Sequence, residues 1–142
     1  MSAFRSDDDI DRIAQALLDR SLPKAEWTHA AHFATALWLL RRRGLRAMAD
    51  MPPLIRAYNE RTGVPNTDRS GYHETITLAS LRAARAWLEE RPGAALHAVL
   101  EELLASPLGR SDWLLAYWSA SLLSSVLARS TWVEPDLQPF PF

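Results

Sequence analysis

The strongest constraint on this chain is its pattern of helix breakers. Pro23, Gly44, the stretch GVPNTDRSG at 63–71, RPG at 91–93 and SPLG at 106–109 cut it into segments of helical length. Between the breaks, apolar residues recur three and four positions apart, and nowhere do they alternate long enough to form a strand. The fold class that follows is all-α: a single compact bundle of about five to six helices, with an extended, proline-rich tail.

The segments read as follows. A first helix covers about Asp8 to Ser21, with Ile10, Ile13, Ala14, Leu17 and Leu18 on one face and Asp7, Asp8 and Asp9 at the end where the backbone dipole favours anions. A second covers about Lys24 to Arg43, with Glu26 early, Arg41, Arg42 and Arg43 late, and Gly44 as its cap. A third, from about Leu45 to Thr62, contains Pro52 and Pro53 and is expected to kink or break there. The fourth runs from about Tyr72 to Glu90 and the fifth from about Ala94 to Ala105. The sixth, from about Ser111 to Ala128, is apolar nearly all round and reads as a central helix. Its apolar run, 113–128, falls about a turn short of the ~20 residues that span a bilayer, and it carries four serines. The tail, about 129–142, is expected to lie extended on the bundle, anchored by Trp132 and Phe140.

Length and charge narrow the function classes. The 142 residues suit one domain. With 16 basic and 17 acidic side chains, the chain has no electrostatic footprint for nucleic acid or an anionic membrane. It contains no cysteine, so any metal site must use histidine, carboxylate or amide ligands. The amino-terminal MSAFRSDDDID is acidic and lacks the plan of a signal peptide, which makes the cytoplasm the expected location. Six tryptophans read as packing residues of a small core.

The least ordinary stretch is NTDRSGYHETIT at 66–77, which gathers hydrogen-bonding side chains in a sequence otherwise rich in Leu, Ala and Arg. His73 and Thr77 there lie one turn apart on the stripe that continues through Leu81, Ala84 and Leu88. In the second helix, His29 and His32 share a face with Phe33, Ala36 and Leu40. Two inward faces in a small bundle meet in a shared core. Three readings follow. In the first, His29, His32 and His73 bind a divalent metal such as zinc, nickel or iron, with Glu74 as a fourth ligand or base. Tyr58, Asn59 and Asn66 then line the rim, Tyr72 stands beside them, and Thr75, Thr77 and Asp68 hold the free ring nitrogens. In the second, the same groups form a metal-free polar pocket. In the third they are satisfied structural groups, with Ser70 capping the fourth helix, Gly71 and Glu74 at the spacing of a capping box, and Tyr72 as a hydrophobic staple. His97, among Leu96, Val99 and Leu100, has no polar company in sequence.

WTHAAHFATALWLLRRRG followed by YNERTGVPNTDRSGYHETIT resembles a family of small, uncharacterised bacterial helical proteins. These share a His-x-x-His helix, a spacer of about forty residues and Tyr-His-Glu-Thr-x-Thr. The resemblance covers about residues 27–90, with WVEPDLQP a further match; His29, His32, Tyr72, His73, Glu74, Thr75 and Thr77 fill its pattern. It implies where a site lies and no particular chemistry.

The leading expectation is a histidine-lined, metal-binding pocket. As an enzyme it would carry out hydrolysis or proton transfer, with a metal-activated water or with His73 and Glu74 as acid and base. The alternative is a metal-free module that binds or senses a small molecule. A third reading is a structural protein or homodimer, built on the apolar sixth helix.

Overall fold

The computed structural model describes residues 4–142; residues 1–3 of the acidic amino-terminal stretch lie outside them. Every regular element among the described residues is helical. The elements are α1 (Asp7–Leu18), α2 (His29–Arg43), α3 (Ala47–Arg61), α4 (Glu74–Glu89), α5 (Leu96–Ala105) and two short helices, α6 (Ala120–Leu123) and α7 (Val126–Ser130). Single 3₁₀ turns occur at Lys24–Glu26, Gly44–Arg46, Pro107–Gly109 and Trp113–Ala116.

The central helix is α2. Every residue from Phe33 to Leu40 is buried, which is the mark of a helix covered on all sides. It packs most extensively against α4 and α1, then α5 and α3. Both helices bury small side chains: Ala31, Ala34 and Ala36 on α2, Ala79, Ala83 and Ala84 on α4. Two polar ties fix the flanks. The Trp38 indole N–H donates to Asp11 at 3.0 Å, joining α2 to α1. The Tyr58 hydroxyl donates to the Leu22 carbonyl at 2.9 Å, joining α3 to the α1–α2 connection.

Three expectations need correction. Helix α2 begins at His29 rather than near Lys24, because Thr28 takes the N-cap: its hydroxyl accepts the Ala31 N–H at 3.1 Å. Of the kink or break expected in α3, the break is absent: the helix is continuous through Pro52 and Pro53, with Met51, Ile55 and Tyr58 on its buried face. The segment 111–128 is not a central helix, or even one helix. It is a 3₁₀ turn followed by α6 and α7, each started by its own serine cap: Ser119 accepts from Leu122 N–H and Ser125 from Ala128 N–H. Serines competing for the backbone divide the helix that the apolar pattern suggested.

The tail lies extended against this broken segment. Leu137 N–H donates to the Tyr117 carbonyl at 2.9 Å, and the Asp136 carboxylate accepts from the Ser119 backbone and hydroxyl at 2.7 and 2.6 Å. The buried Trp118 donates to the Val133 carbonyl at 3.0 Å and meets Trp132 and Phe140 at ring separations of 5.5 and 5.1 Å. The Arg82 guanidinium stacks 4.0 Å over the Trp132 ring.

Candidate functional site

The polar stretch at 66–77 builds a loop and starts a helix. Asn66 is its latch. Its amide oxygen accepts from the Asn59 side chain and the Tyr72 backbone N–H, both at 3.0 Å, and its amide nitrogen donates to the Arg56 carbonyl at 3.0 Å. The Thr67 hydroxyl sits 2.9 Å from that of Ser70, which donates to the Pro65 carbonyl at 3.0 Å. Ser70 therefore closes the loop and does not cap α4. Gly71 has φ +79°, and a Cβ there would collide with the Pro65 carbonyl and Asn66.

The N-cap of α4 is His73. Its Nδ1 accepts the Ile76 N–H at 3.1 Å. Its Nε2 lies 2.7 Å from the Leu123 carbonyl, which fixes that nitrogen as the protonated one. Burial first, opposed by the Leu123 bond and aided by the Arg129 charge, holds this imidazole below the usual histidine range, in its neutral form. The neighbouring motif side chains are tied as firmly. The Tyr72 hydroxyl donates to Glu74 at 2.5 Å, and burial, with Glu74 beside it, pushes the phenol up. The buried Thr75 hydroxyl meets the Ala128 and Thr131 carbonyls at 2.7 and 2.9 Å and accepts from Val133 N–H at 3.3 Å. Thr77 is buried below Tyr72. Arg129 closes the arrangement from α7, donating to the Gly71 and Tyr72 carbonyls at 3.0 and 3.3 Å.

His29 and His32 stand elsewhere. Both line a cleft of about 460 Å³, between the first turn of α2, the start of α4, the 3₁₀ turn at 113–116 and the end of α6. Trp27, Ile76, Trp113, Leu114, Leu115 and Leu123 form its apolar wall. Thr28, Ser80, Ser111 and Asp112 add polar groups. His29 is held by the wall, its Nε2 donating to the Leu108 carbonyl at 2.8 Å and its ring edge-on to Phe33 at 5.2 Å. His32 leans on Trp27 with ring centroids 5.3 Å apart, and no protein group among the described residues hydrogen-bonds its ring. Burial, with His29 beside it, pulls the His32 imidazole down to about 4, so it is neutral at physiological pH.

The expected metal centre is therefore corrected. Among the described residues no group of three or more histidines or carboxylates is placed to hold a metal ion. Geometry gives the reason. His73 uses both ring nitrogens, one as cap and one against Leu123, and His29 uses Nε2 on Leu108. Asp112, the one carboxylate on the cleft, is gripped by Arg110 at 3.0 and 3.1 Å. The histidines form no cluster, and zinc, nickel or iron has no ligand set here. Glu74, Tyr58, Asn59, Asn66, Tyr72, Thr75 and Thr77 likewise lie outside the cleft wall. His97 has distant polar company: its ring Nδ1 and backbone N–H meet the Asp7 carboxylate at 2.7 and 2.9 Å.

Ser80, Ser111, Asp112 and Trp113 also line the cleft, though their sequence context does not mark them as site residues. Ser80 follows Ile76 by four positions, which places both on one face of α4. That spacing was the available signal. No protein-family model matches this chain, and no curated protein or solved structure is significantly similar to it. No helix among the described residues is long and apolar enough to cross a membrane.

Proposed function

We propose that this chain is a metal-free module that binds or senses a small organic molecule in the cleft of His29 and His32. One observation carries the reading: a cleft of about 460 Å³ with a largely apolar wall contains a neutral imidazole, His32, to which no group among the described residues hydrogen-bonds. Ligand sites have this character, an apolar body with a few polar groups that set orientation. Structural histidines satisfy their ring nitrogens, as His73 does. In this reading the Tyr-His-Glu-Thr-x-Thr segment frames the site. His73 holds Leu123, and Leu123 forms part of the wall.

Tryptophan emission tests the proposal, since Trp27 and Trp113 line the cleft while Trp118 is buried away from it. A ligand found in a small-molecule panel should change the emission, and the response should shrink in Trp27→Phe and Trp113→Phe. Silence across a broad panel, or a response unaltered in both variants, refutes the assignment.

A further inference from the structure

The cleft's charges point to the kind of molecule it takes, an inference that rests on the reading just given. No lysine or arginine lines it. Its one carboxylate, Asp112, is paired with Arg110, whose Nε and Nη2 reach the two carboxylate oxygens separately. Glu26, next to Trp27, is paired with Arg12 at 3.2 Å. A charged ligand, of either sign, would lose part of its hydration against the apolar wall and meet as counter-charge only an exposed carboxylate that Arg110 already neutralises.

The unpaired polar groups are neutral and directional. His32 in its neutral form offers one N–H donor and one bare nitrogen acceptor. The Ser80 hydroxyl donates to the Ile76 carbonyl at 2.8 Å, so towards the cleft it retains accepting lone pairs only. Trp27 and Trp113 supply aromatic rings to the wall. We propose that the ligand is an uncharged, flat molecule whose ring lies on the tryptophan-bearing wall and whose neutral polar group, as in a carboxamide or an azole, exchanges one hydrogen bond with a ring nitrogen of His32. Ser80 accepts a second ligand donor where the molecule has one.

Two matched series test this, one on indole and one on naphthalene, each prepared as carboxamide, carboxylate and aminomethyl compound. Affinities are measured by titration calorimetry at pH 7.5 on the wild-type chain, His32→Phe and His32→Gln, with circular dichroism as the check on folding. The carboxamide of each series should bind at least tenfold more tightly than its charged partners. That preference should vanish in His32→Phe, which keeps a ring without hydrogen-bonding atoms, and return in part in His32→Gln, which restores a donor and an acceptor. Equal or tighter binding of a charged member overturns the inference and leaves the cleft standing as a ligand site. So does a preference that survives in His32→Phe. Absence of binding by every member of both series removes the cleft reading and this one together.

Discussion

Replacing His73 separates the helix-cap account from any account in which its imidazole works by itself. His73→Ala removes two bonds. The Ile76 N–H loses its cap, typically worth about 1 kcal/mol. The part-buried Leu123 carbonyl loses its donor, a loss of about 1–3 kcal/mol, towards the low end where water from the cleft reaches it. The sum is roughly 2–4 kcal/mol. For a chain of this length that corresponds to a drop in Tm of roughly 6–15 °C. His73→Asn divides the sum, because asparagine is among the best N-caps but its shorter side chain falls short of Leu123. It should recover about 1 kcal/mol relative to alanine. Urea unfolding of the three proteins, followed by circular dichroism with the slope required to stay constant, measures both differences. Two results refute the reasoning: asparagine as destabilising as alanine, or either variant within about 0.5 kcal/mol of wild type, the range of ordinary surface changes.

Three further predictions share that assay. His32 is neutral when folded, with its proton affinity lowered from the model-peptide 6.5 to about 4, so the unfolded chain binds the extra proton first. The stabilisation is complete above pH 6.5 and is lost as pH falls towards 4, by up to about 3 kcal/mol relative to His32→Phe; parallel pH profiles for the two proteins contradict it. Thr75→Val should cost about 1–3 kcal/mol by removing the one hydroxyl proton that the Ala128 and Thr131 carbonyls share and the acceptor of the Val133 N–H, and should hasten proteolysis of the tail, whereas Thr75→Ser should keep most of both. Gly71→Ala should cost about 1–3 kcal/mol, since it forces a side chain into a left-handed backbone and against the Pro65 carbonyl; a neutral effect contradicts the loop geometry.

The architecture of the first five helices was legible because the breakers are local and the apolar period is long. What escaped the sequence was decided by distant partners. Ser70 is the better cap by propensity, yet His73 caps α4, because Gly71 turns the chain away and Leu123, fifty residues on, receives the other ring nitrogen. The serines at 119 and 125 looked tolerable in an apolar helix, yet Asp136 of the tail engages Ser119 and helps to stabilise the break. That His29 and His32 share one face of α2 was readable from their three-residue spacing; that this face lines a cleft and not a core shared with His73 was not. Their separation from His73 depends on how the broken segment 113–123 folds between them. The cleft wall is shared by four separate stretches of chain, and no single one of them looks like a site.

The tail also makes the cleft depend on the last part of the chain. Residues 133–138 hold Ala116, Tyr117, Trp118 and Ser119 in place, and the turn at 113–116 is one wall of the cleft. Helices α1 to α5 bury their faces against one another and do not need these ties, whereas the wall formed by Trp113, Leu114 and Leu115 depends on them. A chain shortened before residue 133 should keep its helical core and carry an open, unfinished cleft.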